Sequence, residues 1–212
     1  MLFLTCMDIF LYSDISLTIS DLWVERGESD LLNGLSFSAR SGDVIHITGA
    51  NGAGKSSFFK VLVGLLPALS GSIVFNGKSV FKYRQNLLEN TLYIGHLTGL
   101  NSALSVIENL RWYLPYCSKP KIEEVLDDLN MLTFIDTPVQ QLSAGQLRRV
   151  ALVRLWLSKK AIWLLDEPFT ALDQSLITLL ESKIAAHAQS GGIVIFASHL
   201  SLTDLVHQRV EL

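Results

Sequence analysis

The sequence predicts an α/β fold: a parallel sheet whose strands lead into helices, interrupted by a helical insertion. Three observations predict it. A short apolar run at 43–48 passes directly into Gly49-Ala50-Asn51-Gly52-Ala53-Gly54-Lys55-Ser56 and then into a helical pattern. Two later apolar runs, 161–165 and 193–197, each end within two residues of a polar group capable of chemistry: Asp166-Glu167 and His199. Between the first and second runs, residues 104–157 switch to helical spacing. Short apolar runs of this length read as buried strands, and the change of period separates them from helices.

Each element has its own signal. Residues 17–24 and 32–38 alternate apolar and polar side chains, as half-buried strands do. The spacing predicts a helix over 57–66, stopped by Pro67. A strand at 72–75 runs into Asn76-Gly77, a tight-turn pair. Residues 91–95 read as another strand. Ile122, Val125, Leu126 and Leu129 share one face of a helix, with Glu123, Glu124, Asp127 and Asp128 opposite. Those four acids read as a solvated face rather than a metal site. Leu176, Leu180 and Ile184 mark a helix after Asp173.

Composition limits the function classes. At 212 residues the chain can bury a core without staples. Hydrophobic residues at 49% and charged residues at 17% argue against disorder. A formal net charge of -3 argues against a nucleic-acid binder, which usually shows a basic face. No apolar run approaches the ~18–20 residues that span a bilayer. The start, Met1-Leu2-Phe3-Leu4, has no basic region before it and meets Asp8 early, so it does not read as a signal peptide. Met7 is an alternative start. Cys6 and Cys117 form no metal or disulfide pattern, which fits a reducing compartment. The expectation is a cytoplasmic protein.

The glycine-rich stretch fits G-x-x-x-x-G-K-[ST], a loop whose backbone N–H groups converge on a polyphosphate. The helix opening at Gly54-Lys55 adds its positive dipole end. Lys55 is expected to reach the β- and γ-phosphates, and Ser56 to offer its hydroxyl to Mg²⁺. Asp166 and Glu167 end an apolar strand at the side of an α/β sheet where ligands bind. Asp166 is placed to complete the Mg²⁺ shell and Glu167 to activate the attacking water. His199 stands at the end of the next such strand.

A second anion site is predicted far downstream. In Leu142-Ser143-Ala144-Gly145-Gln146, Ser143 and Gln146 form a capping box that opens a helix. Gly145 bares the backbone N–H groups of the first turn. Arg148 and Arg149 either add positive potential there or are ordinary surface charges.

This ordered set resembles the ATPase subunits of ABC transporters, over nearly the whole chain. The resemblance implies a P-loop NTPase core with an N-terminal antiparallel β subdomain and a helical insertion at about 97–157. The domain would run over 16–212, with 1–15 an extension. It implies ATP and Mg²⁺ as cofactors, with nucleotide contacts from Gly49, Ala50, Asn51, Gly52, Ala53, Gly54, Lys55, Ser56 and Ser57. Catalysis would rest on Glu167, Lys55 and His199, the last contacting the γ-phosphate. Ser143, Gly145 and Gln146 would grip the nucleotide of a second, head-to-tail subunit, and Asp173 would cross the same homodimer interface.

Within those ATPases the chain looks most like the cytochrome c maturation, or heme-exporter, ATP-binding subunits. Ile94-Gly95-His96, Arg154-Leu155-Trp156 and 189–194 carry that likeness. His96 stands where most relatives place a glutamine that helps hold Mg²⁺. Arg26 stands where many carry an adenine-stacking aromatic; its guanidinium plane can stack instead, and Trp23 is near but out of register. The implied partners are an integral-membrane permease subunit (CcmB-like) and heme-handling membrane proteins. The implied place is the cytoplasmic face of the bacterial inner membrane, as a peripheral subunit. No nucleic acid and no direct heme binding are expected, since no C-x-x-C-H occurs. The coupled event would be heme export or release of a heme-loaded chaperone. The alternatives are an ABC transporter with another cargo and a soluble nucleic-acid-associated ABC ATPase. Residues His96, Leu97, Leu100, Ala103, Leu104 and Val106 would either form the groove that receives a membrane partner's helix or belong to the ordinary core of the helical insertion.

Overall fold

Alternation at the N-terminal end and continuous apolar runs further on call for two different sheets, and the computed structural model contains both. It describes residues 11–26, 29–200, 205 and 208–212; the side chains of residues 26, 29 and 30 lie outside that description. Along the chain, strands β1 (Ser16–Arg26), β2 (Ser29–Arg40) and β3 (Val44–Thr48) precede helix α1 (Lys55–Leu62). Next come β4 (Ser70–Phe75), β5 (Lys78–Ser79), α2 (Arg84–Asn90) and β6 (Thr91–Ile94). The helical segment holds α3 (Val106–Tyr113), α4 (Lys119–Asp128) and α5 (Ala144–Leu157). Then follow β7 (Ile162–Asp166), α6 (Gln174–Gln189), β8 (Ile193–Ala197) and β9 (Gln208–Glu211).

The half-buried strands pair antiparallel in the order β2-β1-β4-β5. Asn76 and Gly77, at φ 47° and 74°, make the hairpin turn between β4 and β5. The fully apolar strands form a parallel sheet in the order β6-β7-β8-β3-β9. Strands β7 and β8 are buried along their whole length, as central parallel strands must be. Helix α1 fills the space between the sheets with Phe58, Phe59, Val61 and Leu62, all at 0% exposure. Helices α3, α4 and α5 close a separate cluster around Leu110, Leu126, Val150 and Val153.

This architecture is the predicted one; several boundaries differ, for local reasons. Helix α1 begins at Lys55 and ends at Leu62, short of Pro67, because Gly64 turns left-handed at φ 81°. Helix α2 buries only Leu87 and has no side-chain N-cap, so it carries no periodic signal. Strand β9 is an edge strand with Val210 alone buried. The chain ahead of β1 is tied in before residue 16: Ile15 is in the core, and Tyr12 N–H donates to Ser190 O at 2.9 Å. Of the acids on α4, Glu124, Asp127 and Asp128 are exposed and Glu123 half-buried. Among the described residues no cluster of His, Cys, Asp or Glu could hold a metal by itself, and no helix is long and apolar enough to cross a membrane. Met1, Cys6 and Met7 lie outside the described residues.

Candidate functional site

The carboxyl ends of β3, β6, β7 and β8 meet at one edge of the parallel sheet, and the predicted residues converge there. A cleft of roughly 490 Å³ is lined by Asn51, Gly52, Gly54, Lys55, Ser56, Ser57, Lys60, His96, Asp166, Glu167, Thr170 and His199, with Leu31 at its wall. Five separate stretches of sequence therefore supply one site. Gly54 is held at φ 96°, and a Cβ there would sit 2.3 Å from Leu31 O. No side chain fits that approach, so the loop stays open at the N-terminus of α1. Lys55 Nζ donates to Gly49 O at 2.7 Å and Ala50 O at 3.0 Å. Its charge is folded back over the loop that would receive phosphate.

Asp166 is 2% exposed and ends β7. Glu167 follows at φ 52°, a left-handed conformation costly for a residue with a Cβ. Its N–H donates to Ala197 O at 2.9 Å, which locks the turn to the end of β8. Its Oε1 is buried with no hydrogen-bond partner among the described residues, while His199 Nε2 stands 3.5 Å away. An unpaired buried carboxylate oxygen facing a cleft is a costly arrangement, the kind kept at reactive sites. His199 itself is mostly exposed. Behind it, His46 on β3 is buried, stacks on Phe196 with ring centroids 4.5 Å apart, and donates Nε2–H to Ser198 O at 2.9 Å.

The predicted second anion site lies outside this cleft. Ser143 Oγ accepts from Gln146 N–H, and Gln146 Oε1 accepts from Ser143 N–H at 2.8 Å, so the capping box is formed. Gly145 packs against the loop after β7: a Cβ on it would lie 2.9 Å from Ala171 O. Asp173 caps α6 through Leu176 N–H at 3.0 Å and pairs with Arg149 at 2.8 Å. Its carboxyl sits below the ordinary carboxylate range, first through the Ser175 hydroxyl and then through Leu176 N–H. Ser143, Gly145, Gln146 and Asp173 line no part of the chain's own phosphate cleft.

Residues 32–170 match the family model described as ABC transporter. The chain is 43% identical over 188 residues to the cytochrome c biogenesis ATP-binding export protein CcmA of Tatumella citrea, covering 89% of this chain and 90% of that one. To CcmA of Escherichia coli O157:H7 it is 41% identical over 198 residues, covering 92% and 96%. Among solved structures, an ABC transporter ATP-binding protein from Pyrococcus furiosus superposes with a TM-score of 0.78 at 25% identity, over 93% of this chain and 97% of that one. The chain belongs to the ABC transporter family.

In this ABC ATPase the family motifs fall on two surfaces, one cleft within the chain and one helix end outside it. Sequence reasoning missed what joins them. Arg148 is not a surface charge raising local potential: it is 4% exposed and donates to Gly95 O at 2.9 Å, Asp166 O at 2.6 Å and Glu167 O. Arg154 is equally buried, donates to Ala151 O and Thr98 O at 3.0 Å, and lies over the Tyr113 ring at 4.4 Å. Burial pulls both guanidinium groups down from the ordinary arginine range. Arginine is a residue usually found at the surface, and nothing in the sequence around these two gave a sign of burial. His96 does reach the cleft. The Arg26 side chain lies outside the described residues, and Trp23 Nε1–H donates to Asp21 at 2.8 Å. The predicted docking groove is only partly a surface. Leu97 is 85% exposed and Ala103 exposed, but Val106 is core and Leu100 packs on the helical cluster.

Proposed function

We propose that this chain is the ATP-hydrolysing subunit of an ABC-type membrane complex in cytochrome c biogenesis, driving heme export or release of a heme-loaded chaperone. The observation that carries it is the 41–43% identity to cytochrome c biogenesis ATP-binding export proteins over nearly the full length of both partners. The P-loop, His96, Asp166, Glu167 and His199 meet in one cleft, while Ser143, Gly145, Gln146 and Asp173 lie outside it.

The chemistry follows from the cleft. Lys55 leaves the carbonyls of Gly49 and Ala50 for the β- and γ-phosphates, while the N–H groups at the start of α1 hold the same oxygens. The Ser56 hydroxyl and the Asp166 carboxylate are hard oxygen donors on one wall, a set that suits Mg²⁺, with His96 beside them. When bound, the ion neutralises charge on the transferring phosphoryl group. Glu167 presents its unpaired oxygen to the water that attacks, and takes up its proton. His199 stands beside that carboxylate and would contact the γ-phosphate. Ser143, Gly145 and Gln146 close on the nucleotide of a second copy, so two ATP molecules sit between two chains. The membrane partners are a multispanning CcmB-like permease and heme-handling proteins. The subunit works peripherally at the cytoplasmic face of the inner membrane.

Replacing the chromosomal copy with Glu167→Gln tests the pathway. Holo-cytochrome c should fall to background while apocytochrome persists. Normal holo-cytochrome c with a demonstrably inactive ATPase would point to an ABC transporter with another cargo.

A further inference from the structure

A buried guanidinium normally needs a carboxylate partner, because its desolvation is expensive. Arg148 has none in hydrogen-bond contact. Its three acceptors are all main-chain carbonyls: Gly95 O at 2.9 Å, Asp166 O at 2.6 Å and Glu167 O. Those carbonyls belong to the two acidic residues of the cleft and to the residue just before His96. The carboxylates themselves are left free to face the nucleotide.

Arg148 stands one helical turn from Gly145, where α5 presents its open N-terminus. That same turn is wedged against Ala171 O through Gly145 and tied to Asp173 through Arg149. A buried guanidinium bonded to three carbonyls therefore joins the start of α5 to the backbone on which Glu167 is held at φ 52°. A shift of α5 strains those bonds unless that backbone moves with it.

We propose that Arg148 is a positioning residue. It holds Glu167 and His96 at hydrolytic geometry and links the signature helix, which serves the partner's nucleotide, to the carboxylates that serve the chain's own. The second half rests on the two-chain arrangement proposed above. Arg148 does not line the phosphate cleft, so it should affect turnover and not nucleotide binding. A displacement of about 1 Å at a reacting group costs roughly 10²-fold in rate.

The test uses the full chain carrying Arg148→Met or Arg148→Lys. ATP affinity is read by fluorescent-nucleotide titration, and turnover is expressed per nucleotide-binding molecule. The methionine variant should bind ATP within about 3-fold of wild type and lose roughly 10²-fold or more in kcat. Lysine, which reaches fewer of the three carbonyls, should recover part of the loss. Wild-type kcat per bound nucleotide in the methionine variant would overturn the proposal. So would a parallel loss of affinity and folded yield with no change in kcat, the mark of a merely structural residue. Wild-type turnover in the same assay reports separately on the ATPase reading.

Mixed dimers test the link. In a mixture of Lys55→Ala and Ser143→Arg chains, one working site remains: P-loop and Glu167 from the Ser143→Arg chain, signature helix from the other. Adding Arg148→Met to the Ser143→Arg chain should cost about 10²-fold. Adding it to the Lys55→Ala chain, where it touches only the donated signature helix, should still slow turnover several-fold. No effect there would overturn the coupling.

Discussion

Nε2 of His199 lies 3.5 Å from Oε1 of Glu167, and that oxygen is otherwise unpaired and buried. The pair joins the ends of two neighbouring strands, β7 and β8, across the mouth of the cleft. If Glu167 is the base proposed above, neutralising it removes the acceptor for the water's proton and leaves the P-loop intact. Glu167→Gln should therefore keep ATP affinity and lose roughly 10²–10⁴-fold in turnover, the usual contribution of a positioned base. It should also accumulate as an ATP-bound dimer, visible by size-exclusion with ATP and Mg²⁺. A variant that hydrolyses normally would remove Glu167 from the base role.

The proposed two-chain sandwich makes a separate prediction, motivated by the absence of Ser143, Gly145 and Gln146 from the chain's own cleft. Lys55→Ala removes the charge proposed to hold the β- and γ-phosphates, and Ser143→Arg puts a bulky side chain at the open helix end. Each variant alone should be inactive. Mixed, they build one composite site with both halves intact, so up to about half of the dimers regain one site of two, and ATPase activity should partly return. Complete inactivity of the mixture, with dimers demonstrably formed, would count against the head-to-tail arrangement.

Some of this was legible in the residue order and some was not. The P-loop, Asp166-Glu167 and His199 could be placed because their chemistry is local: each follows an apolar strand, and strands of one parallel sheet bring their ends together. The capping box at Ser143 was legible for the same reason. Arg148 was not, because its partners are carbonyls 18, 19 and 53 residues away, and a carbonyl has no letter in the sequence. Strand β9 escaped because one buried residue, Val210, makes no pattern. Val106 could not be assigned between docking groove and core, because an apolar residue looks the same whether a helix turns it inward or outward; it is core.

Acid should weaken the fold through His187. Its ring stacks on Trp163 with centroids 3.7 Å apart and its Nε2–H donates to Ala161 O at 3.1 Å. Burial foremost, with Lys183 nearby, holds the imidazole down to about 4. In the unfolded chain it titrates near ~6.5. Between those values the unfolded state binds a proton that the folded state refuses. Stability from this group is complete above pH ~6.5 and is lost as pH falls toward 4, by about 2 kcal/mol at pH 5. His187→Phe keeps a flat ring against Trp163 and cannot titrate. Urea unfolding at pH 7 and pH 5 should show a smaller loss in the variant than in wild type, and equal losses would remove His187 as the source.

The last prediction concerns Leu97. The loop that carries it is pinned on both sides from α5, by Arg148 at Gly95 O and by Arg154 at Thr98 O. Between those anchors Leu97 is 85% exposed, next to His96, which faces the phosphate cleft. An apolar side chain held out from a loop anchored at both ends beside the cleft is suited to a helix-in-groove contact with a membrane subunit. Leu97→Asp removes no core packing, so folding and ATP binding should be unchanged. Desolvating the new carboxylate in an apolar contact is costly, so co-purification with a multispanning membrane subunit should fall sharply, and holo-cytochrome c with it. Leu100→Asp is different: Leu100 packs on the helical cluster, so that variant should lose thermal stability as well. Undiminished membrane association of Leu97→Asp would move the docking surface elsewhere, and normal cytochrome c with a dissociated subunit would detach the chain from that pathway.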